Sequence, residues 1–204
     1  MRRDIVSNRI GDIVDSMCDY GFRMIQDKWE LVHLLACTLE TIGRPKIAME
    51  IGSADGGCLC AISSIVEDSG EVISIEPDSN TFNSTRVSEV IAPVKLHHIC
   101  KYSTDPEAEN ELISILNGRT IDFLFIDGDH RYNIAKSDFI TYSKYVTRST
   151  GIVAFHDINC KENLWYAPGE EMVGLYWDII TDYRHHAEFR YTWAGSHGIG
   201  MLAL

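Results

Sequence analysis

Two hydrophobic patterns alternate along the chain. Short, nearly continuous apolar runs lie within IAMEI (47–51), EVISIEPD (71–78), VKLHHIC (94–100), IDFLFIDGDHRY (121–132) and TGIVAFHDIN (150–159), as expected of strands buried on both faces of a parallel sheet. Between them apolar positions recur every three or four residues, which predicts helices. Ile10, Ile13, Val14 and Met17 give a short amphipathic helix within residues 1–28. KWELVHLLACTLETI (28–42) gives a second, stopped by Gly43 and Pro45. CLCAISSIVED (58–68), a segment beginning near Thr81, 110–117, 133–145 and EMVGLYWDIITDY (171–183) supply the rest. The tail, AEFRYTWAGSHGIGMLAL, reads as two strands turning near Ala194, Gly195 and Ser196, the last strand lying between its partner and the parallel strands. The expected fold is a doubly wound α/β sheet of seven strands, mostly parallel with an antiparallel C-terminal hairpin, helices on both faces. One domain spans residues 1–204, with N-terminal helices over 1–45 and the core over 46–204.

Composition narrows the function. With 45% hydrophobic and 24% charged residues the chain is an ordinary globular one, large enough to bury a core. A formal net charge of −12, with scattered Lys and Arg, argues against a nucleic-acid partner. The six cysteines, Cys58 and Cys60 among them, read as reduced thiols, because no secretory leader accompanies them. No apolar run reaches the length of a membrane span, so a cytoplasmic protein without a membrane partner is expected. The apolar N-terminal helices offer a surface for a homo-oligomer.

The chemistry gathers where the apolar runs end. KIAMEIGSADGG (46–57) carries a strand into a loop with Gly52, Gly56 and Gly57; glycines there tolerate positive φ and admit a ligand close to the backbone. Glu50 ends that strand, and its carboxylate suits a cationic amino group better than a diphosphate. Glu76 follows 26 residues later at the tip of the next strand, where such folds hold ribose hydroxyls. Asp78 is expected to cap the following helix. The strand at 121–126 empties into Asp127, Asp129 and His130, more titratable groups than a turn needs. His156 and Asp157 repeat the device one strand-helix-strand unit later, so Asp127 and Asp157 should stand side by side and could hold a hard cation. His33, His97, His98 and His197 are read as structural. Trp165, Tyr166 and Pro168 could form an aromatic wall for an acceptor.

Taken together, EIGSADGG, IEPD, FIDGDHRY and FHDI make the chain resemble the class I S-adenosylmethionine-dependent methyltransferases, with their Rossmann-like fold, from about Trp29 to Leu204. The branch it looks most like is the small O-methyltransferases related to cephalosporin hydroxylase-like and macrolide-sugar methyltransferases. The resemblance implies Glu50, Gly52 and Ser53 around the methionine part of S-adenosylmethionine, with Gly56 and Asp127 also near the cofactor. It implies Glu76 on the ribose and Tyr102 and Ser103 near adenine. In metal-dependent members a divalent ion, Mg²⁺ or another, would map to Asp127, His156 and Asp157. His156 departs from the oxygen ligand usual at its position and favours softer ions.

Methyl transfer to a hydroxyl needs an aligned nucleophile and a group to take its proton. His130, three residues beyond Asp127, is the expected general base. The expected acceptor is a sugar or other small metabolite. A nicotinamide oxidoreductase would share the opening strand and loop, but the spacing here is G-x-x-x-G-G and Glu50 would repel a pyrophosphate. A non-catalytic scaffold would need no acids at two strand tips.

Overall fold

The computed structural model describes residues 2–23, 26–161, 170–182, 185–190 and 197–204, with side chains from Val6 onward. The turn expected near Ala194 and the aromatic residues Trp165, Tyr166 and Pro168 lie outside the described residues. Seven strands form one sheet: β1 (Ile47–Ile51), β2 (Glu71–Ile75), β3 (Lys95–Ile99), β4 (Phe123–Ile126), β5 (Ile152–His156), β6 (His186–Phe189) and β7 (Ile199–Ala203). Their order across the sheet is β3-β2-β1-β4-β5-β7-β6. The first five run parallel, and β7 pairs antiparallel with both β5 and β6. The last strand therefore inserts between its partner and the parallel strands, as the alternation predicts. β1, β4 and β5 are buried at every residue, whereas the edge strands β3 and β6 are partly exposed.

Helices cover both faces. On one, α1 (Arg2–Asp19), α2 (Lys28–Ile42), α3 (Gly57–Ser63) and α4 (Ser84–Ile91) pack with Ala48, Phe123 and Phe125. On the other, α5 (Pro106–Leu116), α6 (Tyr132–Tyr142) and α7 (Val173–Thr181) pack with Met49, Ile51 and Leu124. Trp177 of α7 is fully buried against β7, leaving no room for a side chain at Gly200, where a Cβ would sit 2.3 Å from the indole. Among the described residues no helix is long and apolar enough to cross a membrane.

Several boundaries differ from the sequence expectation for local reasons. α3 stops at Ser63 rather than near Asp68, because the Ser63 and Ser64 hydroxyls donate to the Cys60 and Ala61 carbonyls and compete with the helix. α5 begins at Pro106, four residues before the expected start, with Pro at the first helical position, where its missing N–H costs nothing. Asn83, not Asp78, caps α4 by accepting from Arg86 N; Asp78 closes a turn by accepting from Asn80 N and the Thr81 hydroxyl. The helix expected over 133–145 ends at Tyr142 and continues as a 3-10 turn, and Ile121 joins β4's neighbourhood only through a single bridge to Val146.

The register aligns the strand tips. Ile51 pairs with both Ile75 and Ile126, and Ile126 with Phe155. The residues that follow these four are Gly52, Glu76, Asp127 and His156, which form one row along the carboxyl edge of the sheet.

Candidate active site

Gly52 is where that row comes closest together. Its φ is +85°, and a Cβ there would lie 2.3 Å from the Asp127 carbonyl oxygen and 2.5 Å from Gly128 Cα. Only glycine lets the loop after β1 cross the loop after β4 at this distance. Two hollows with shared lining lie here. The larger, about 370 Å³, runs from Gly52 and Ala54 past Glu76 and Pro77 to Tyr102, Ser103 and Thr104, with Gly128 on its far wall. The smaller, about 90 Å³, is lined by Arg23, Gln26, Ser53, Asp55, Cys58, His130 and His156. Gly52, Ala54 and Asp127 belong to both. Another hollow of about 650 Å³, between α1, α3 and α4, is lined by Met17, Val66 and Val94 and lies at the opposite end of the strands.

Glu76 holds the near side of the larger hollow, its carboxylate accepting from Ala54 N at 2.9 Å and Asp78 N at 3.0 Å. Tyr102 is exposed on the rim, and the Ser103 carbonyl accepts from the Tyr142 hydroxyl at 2.6 Å. Behind Ser103 and Gly128 lies Asp138 of α6, buried with neither oxygen hydrogen-bonded; burial pushes its pKa up to about 6, with Ser103 partly offsetting. Gly56 lines neither hollow: a Cβ there would meet Val87 at 2.5 Å, so it serves the packing of the loop on α4. At the start of α3, Asp55 accepts from Gly57 N at 3.3 Å as well as from Arg23 N.

Glu50 is fully buried on the same sheet face as Ala48, beneath the Ser53 and Cys58 wall of the smaller hollow. Burial raises its pKa from 4.5 to about 8; Cys58 and Ser53 beside it oppose the shift, and the Asp127 charge adds to it. Among the described residues neither carboxylate oxygen has a hydrogen-bond partner. The Ser53 hydroxyl accepts instead from Ser74, at 2.9 Å.

Asp127, Asp157, His130 and His156 converge as expected. His156 Nδ1 lies 2.9 Å from Asp127 Oδ1 and 3.2 Å from Asp157 Oδ2, and His130 Nδ1 lies 3.0 Å from Asp157 Oδ2. Burial opposes charge on Asp157, His130 and His156, but the attraction of their partners outweighs it. Asp157 is held far below the usual carboxylate range, and both imidazoles are raised, His156 the more strongly. His156 Nε2 is buried with no partner. Asp129, the third acid of that stretch, turns away to pair with Arg131.

Four residues here were not singled out as functional from the sequence. Gln26 donates to Asp127 Oδ2, placed there because Asp27 caps α2 through Trp29 N and Glu30 N. Arg23 lines the smaller hollow beside it. His197, expected to be structural, places Nδ1 2.8 Å from Asp157 Oδ1, and Cys160 lies 3.7 Å from the same oxygen. A signal existed for His197: once the last strand pairs antiparallel with β5, its entry must abut the β5 tip.

Comparison with known proteins bears on the family and the fold. Residues 49–158 match the model of a methyltransferase domain family. The chain is 31% identical over 131 residues to uncharacterized protein R132 of Acanthamoeba polyphaga mimivirus, a match covering 61% of this chain and 58% of that protein. An O-methyltransferase from Bacillus cereus in complex with SAH superimposes with a TM-score of 0.63 at 12% identity, over 96% of this chain and 90% of that one. MycE methyltransferase from the mycinamycin biosynthetic pathway, in complex with Mg, SAH and mycinamycin VI, gives 0.63 at 14% identity, over 95% of this chain and 54% of that one. The family match spans more than half of the chain. The chain belongs to the methyltransferase domain family.

Proposed function

We propose that the protein is an S-adenosylmethionine-dependent O-methyltransferase acting on a hydroxyl of a small molecule, a sugar or other small metabolite, with His130 as general base. The observation that carries this reading is the place of His130: partly exposed, anchored to Asp157 and lining the small hollow that shares Gly52, Ala54 and Asp127 with the larger one. A base must reach the proton it takes, and this imidazole faces the space where a donor's reactive end would meet an acceptor.

The residues present fit the cofactor. Glu50 is a buried carboxylate with no partner, and the amino group of a methionine moiety would supply the missing cation across the Ser53 and Cys58 wall. Glu76 would accept from ribose hydroxyls, and the Tyr102–Thr104 rim would border the base. Bound there, S-adenosylmethionine supplies an already electrophilic methyl group. What this chain adds is alignment of the acceptor and removal of its proton by His130.

Asp127, His156 and Asp157 also fit a divalent cation, since three of their ligand atoms lie within 4.8 Å of one another. The imidazole inclines the set toward Mn²⁺ or a softer ion more than toward Mg²⁺. A cation there would lower the pKa of an acceptor hydroxyl.

Three outcomes are expected. Glu50 has a folded-state pKa of about 8 against an ordinary 4.5, so the cofactor-free fold keeps a proton that the unfolded chain has lost across that window. Stability should therefore fall as pH rises between those values, and Glu50→Gln should flatten the slope in urea unfolding; equal slopes for both proteins would contradict the assignment. His130→Ala should cut turnover by about 10²- to 10⁴-fold while S-adenosylhomocysteine affinity stays nearly unchanged. Parallel loss of both would make the residue structural. EDTA should reduce methyl transfer and Mn²⁺ or Mg²⁺ restore it, whereas indifference to chelation would remove the cation from the mechanism.

A further inference from the structure

The loop after β5 and the entry to β7 bring together three donors of different hardness, two of which have no part in the reading above. His197 Nδ1 lies 2.8 Å from Asp157 Oδ1; Cys160 Sγ lies 3.7 Å from that oxygen and 3.8 Å from the imidazole nitrogen. In a tetrahedral zinc site, with bonds of about 2.3 Å to sulfur and about 2.0–2.1 Å to nitrogen and oxygen, sulfur stands about 3.5 Å from the other donors and nitrogen about 3.3 Å from oxygen. Both sulfur edges of the triangle are within about 0.3 Å of that geometry, and the nitrogen–oxygen edge needs to open by about 0.5 Å.

The triangle is held by backbone. Asp157 has φ +60°, and its carbonyl accepts from Cys160 N at 2.9 Å, folding the thiol back over its carboxylate. The Cys160 carbonyl accepts in turn from Gly174 N at 2.9 Å, where a Cβ would stand 2.6 Å from that carbonyl oxygen. Opposite, Ile158 N donates to Gly198 O and Asn159 N to His197 O, tying the histidine alongside. Gly198 N is fixed by the buried Glu30 carboxylate at 3.1 Å.

Asp157 also joins this triangle to the Asp127–His156 set. Asp157 is only 2% exposed, and its two oxygens face different donor sets. Oδ1 faces Cys160 and His197. Oδ2 lies near His130 and His156 but has no hydrogen-bond partner there. A buried carboxylate disposed in this way is suited to bridging two cations.

We propose that Cys160, Asp157 and His197 form a second cation site, for Zn²⁺ or an ion of similar softness, which shares Asp157 with the Asp127–His156 set. A thiolate and an imidazole select against Mg²⁺ and Ca²⁺, so the two halves of the bridge differ in the ions they accept. An ion in this half would clamp the β5 loop to the entry of β7 and fix the carboxylate that His130 leans on.

Cobalt(II) titration of the metal-free full chain tests this without a turnover assay. The expected result is a saturable thiolate-to-cobalt charge-transfer band that stoichiometric Zn²⁺ displaces. It should vanish in Cys160→Ser, weaken at least tenfold in apparent affinity in His197→Ala, and persist when the exposed Cys18 and Cys100 are both changed to Ser. The absence of the band in the wild-type chain would overturn the proposal, as would its survival in folded Cys160→Ser. Should Cys160→Ser fail to fold, unchanged cobalt affinity in His197→Ala, a partly exposed position, would overturn it equally.

Discussion

A carboxylate buried at the centre of a sheet without a hydrogen-bond partner is costly, and Glu50 is the point to which the rest of this site refers. Its neighbours on β1 are apolar and fully covered, so the strand has every reason to carry another Val or Ile there. The cofactor-free fold lessens the cost by keeping the group protonated, as the pKa near 8 implies. On the proposed reading an amino acid ammonium would supply the cation this carboxylate lacks, and a pyrophosphate would not.

The second constraint is the parallel pairing of β4 with β5. It sets Asp127 and His156 in register one residue beyond the last pair, and the left-handed backbone at Asp157 turns the next carboxylate back toward them. Because β7 is antiparallel to β5, the chain entering β7 reaches the same edge from the other direction and adds His197. Three strands thus bring titratable groups within a few ångströms, and their attraction holds Asp157 below the usual carboxylate range and raises His130 and His156.

Much of this is legible in the residues themselves. Continuous apolar runs ending in acids identify the strands and their functional edge, and the Gly52 loop is recognisable because side chains at its closest approach are sterically excluded. What escapes is of two kinds. Helix limits at Ser63 and Pro106 depend on hydroxyl competition and proline placement within one turn, which periodicity averages over. Gln26 and Cys160 enter the site through contacts over long sequence separations or through a single tight turn, and neither lies in a periodic segment. His197 was recoverable from the strand order but not from its own surroundings in the sequence.

Calorimetric titration of the full chain with S-adenosylhomocysteine and with NAD measures the proposed selectivity for a ligand with a cationic amino group over a dinucleotide. Saturable one-to-one binding of S-adenosylhomocysteine is expected, with no measurable heat of binding with NAD at the same concentration. Binding of NAD as tight as that of S-adenosylhomocysteine would contradict it.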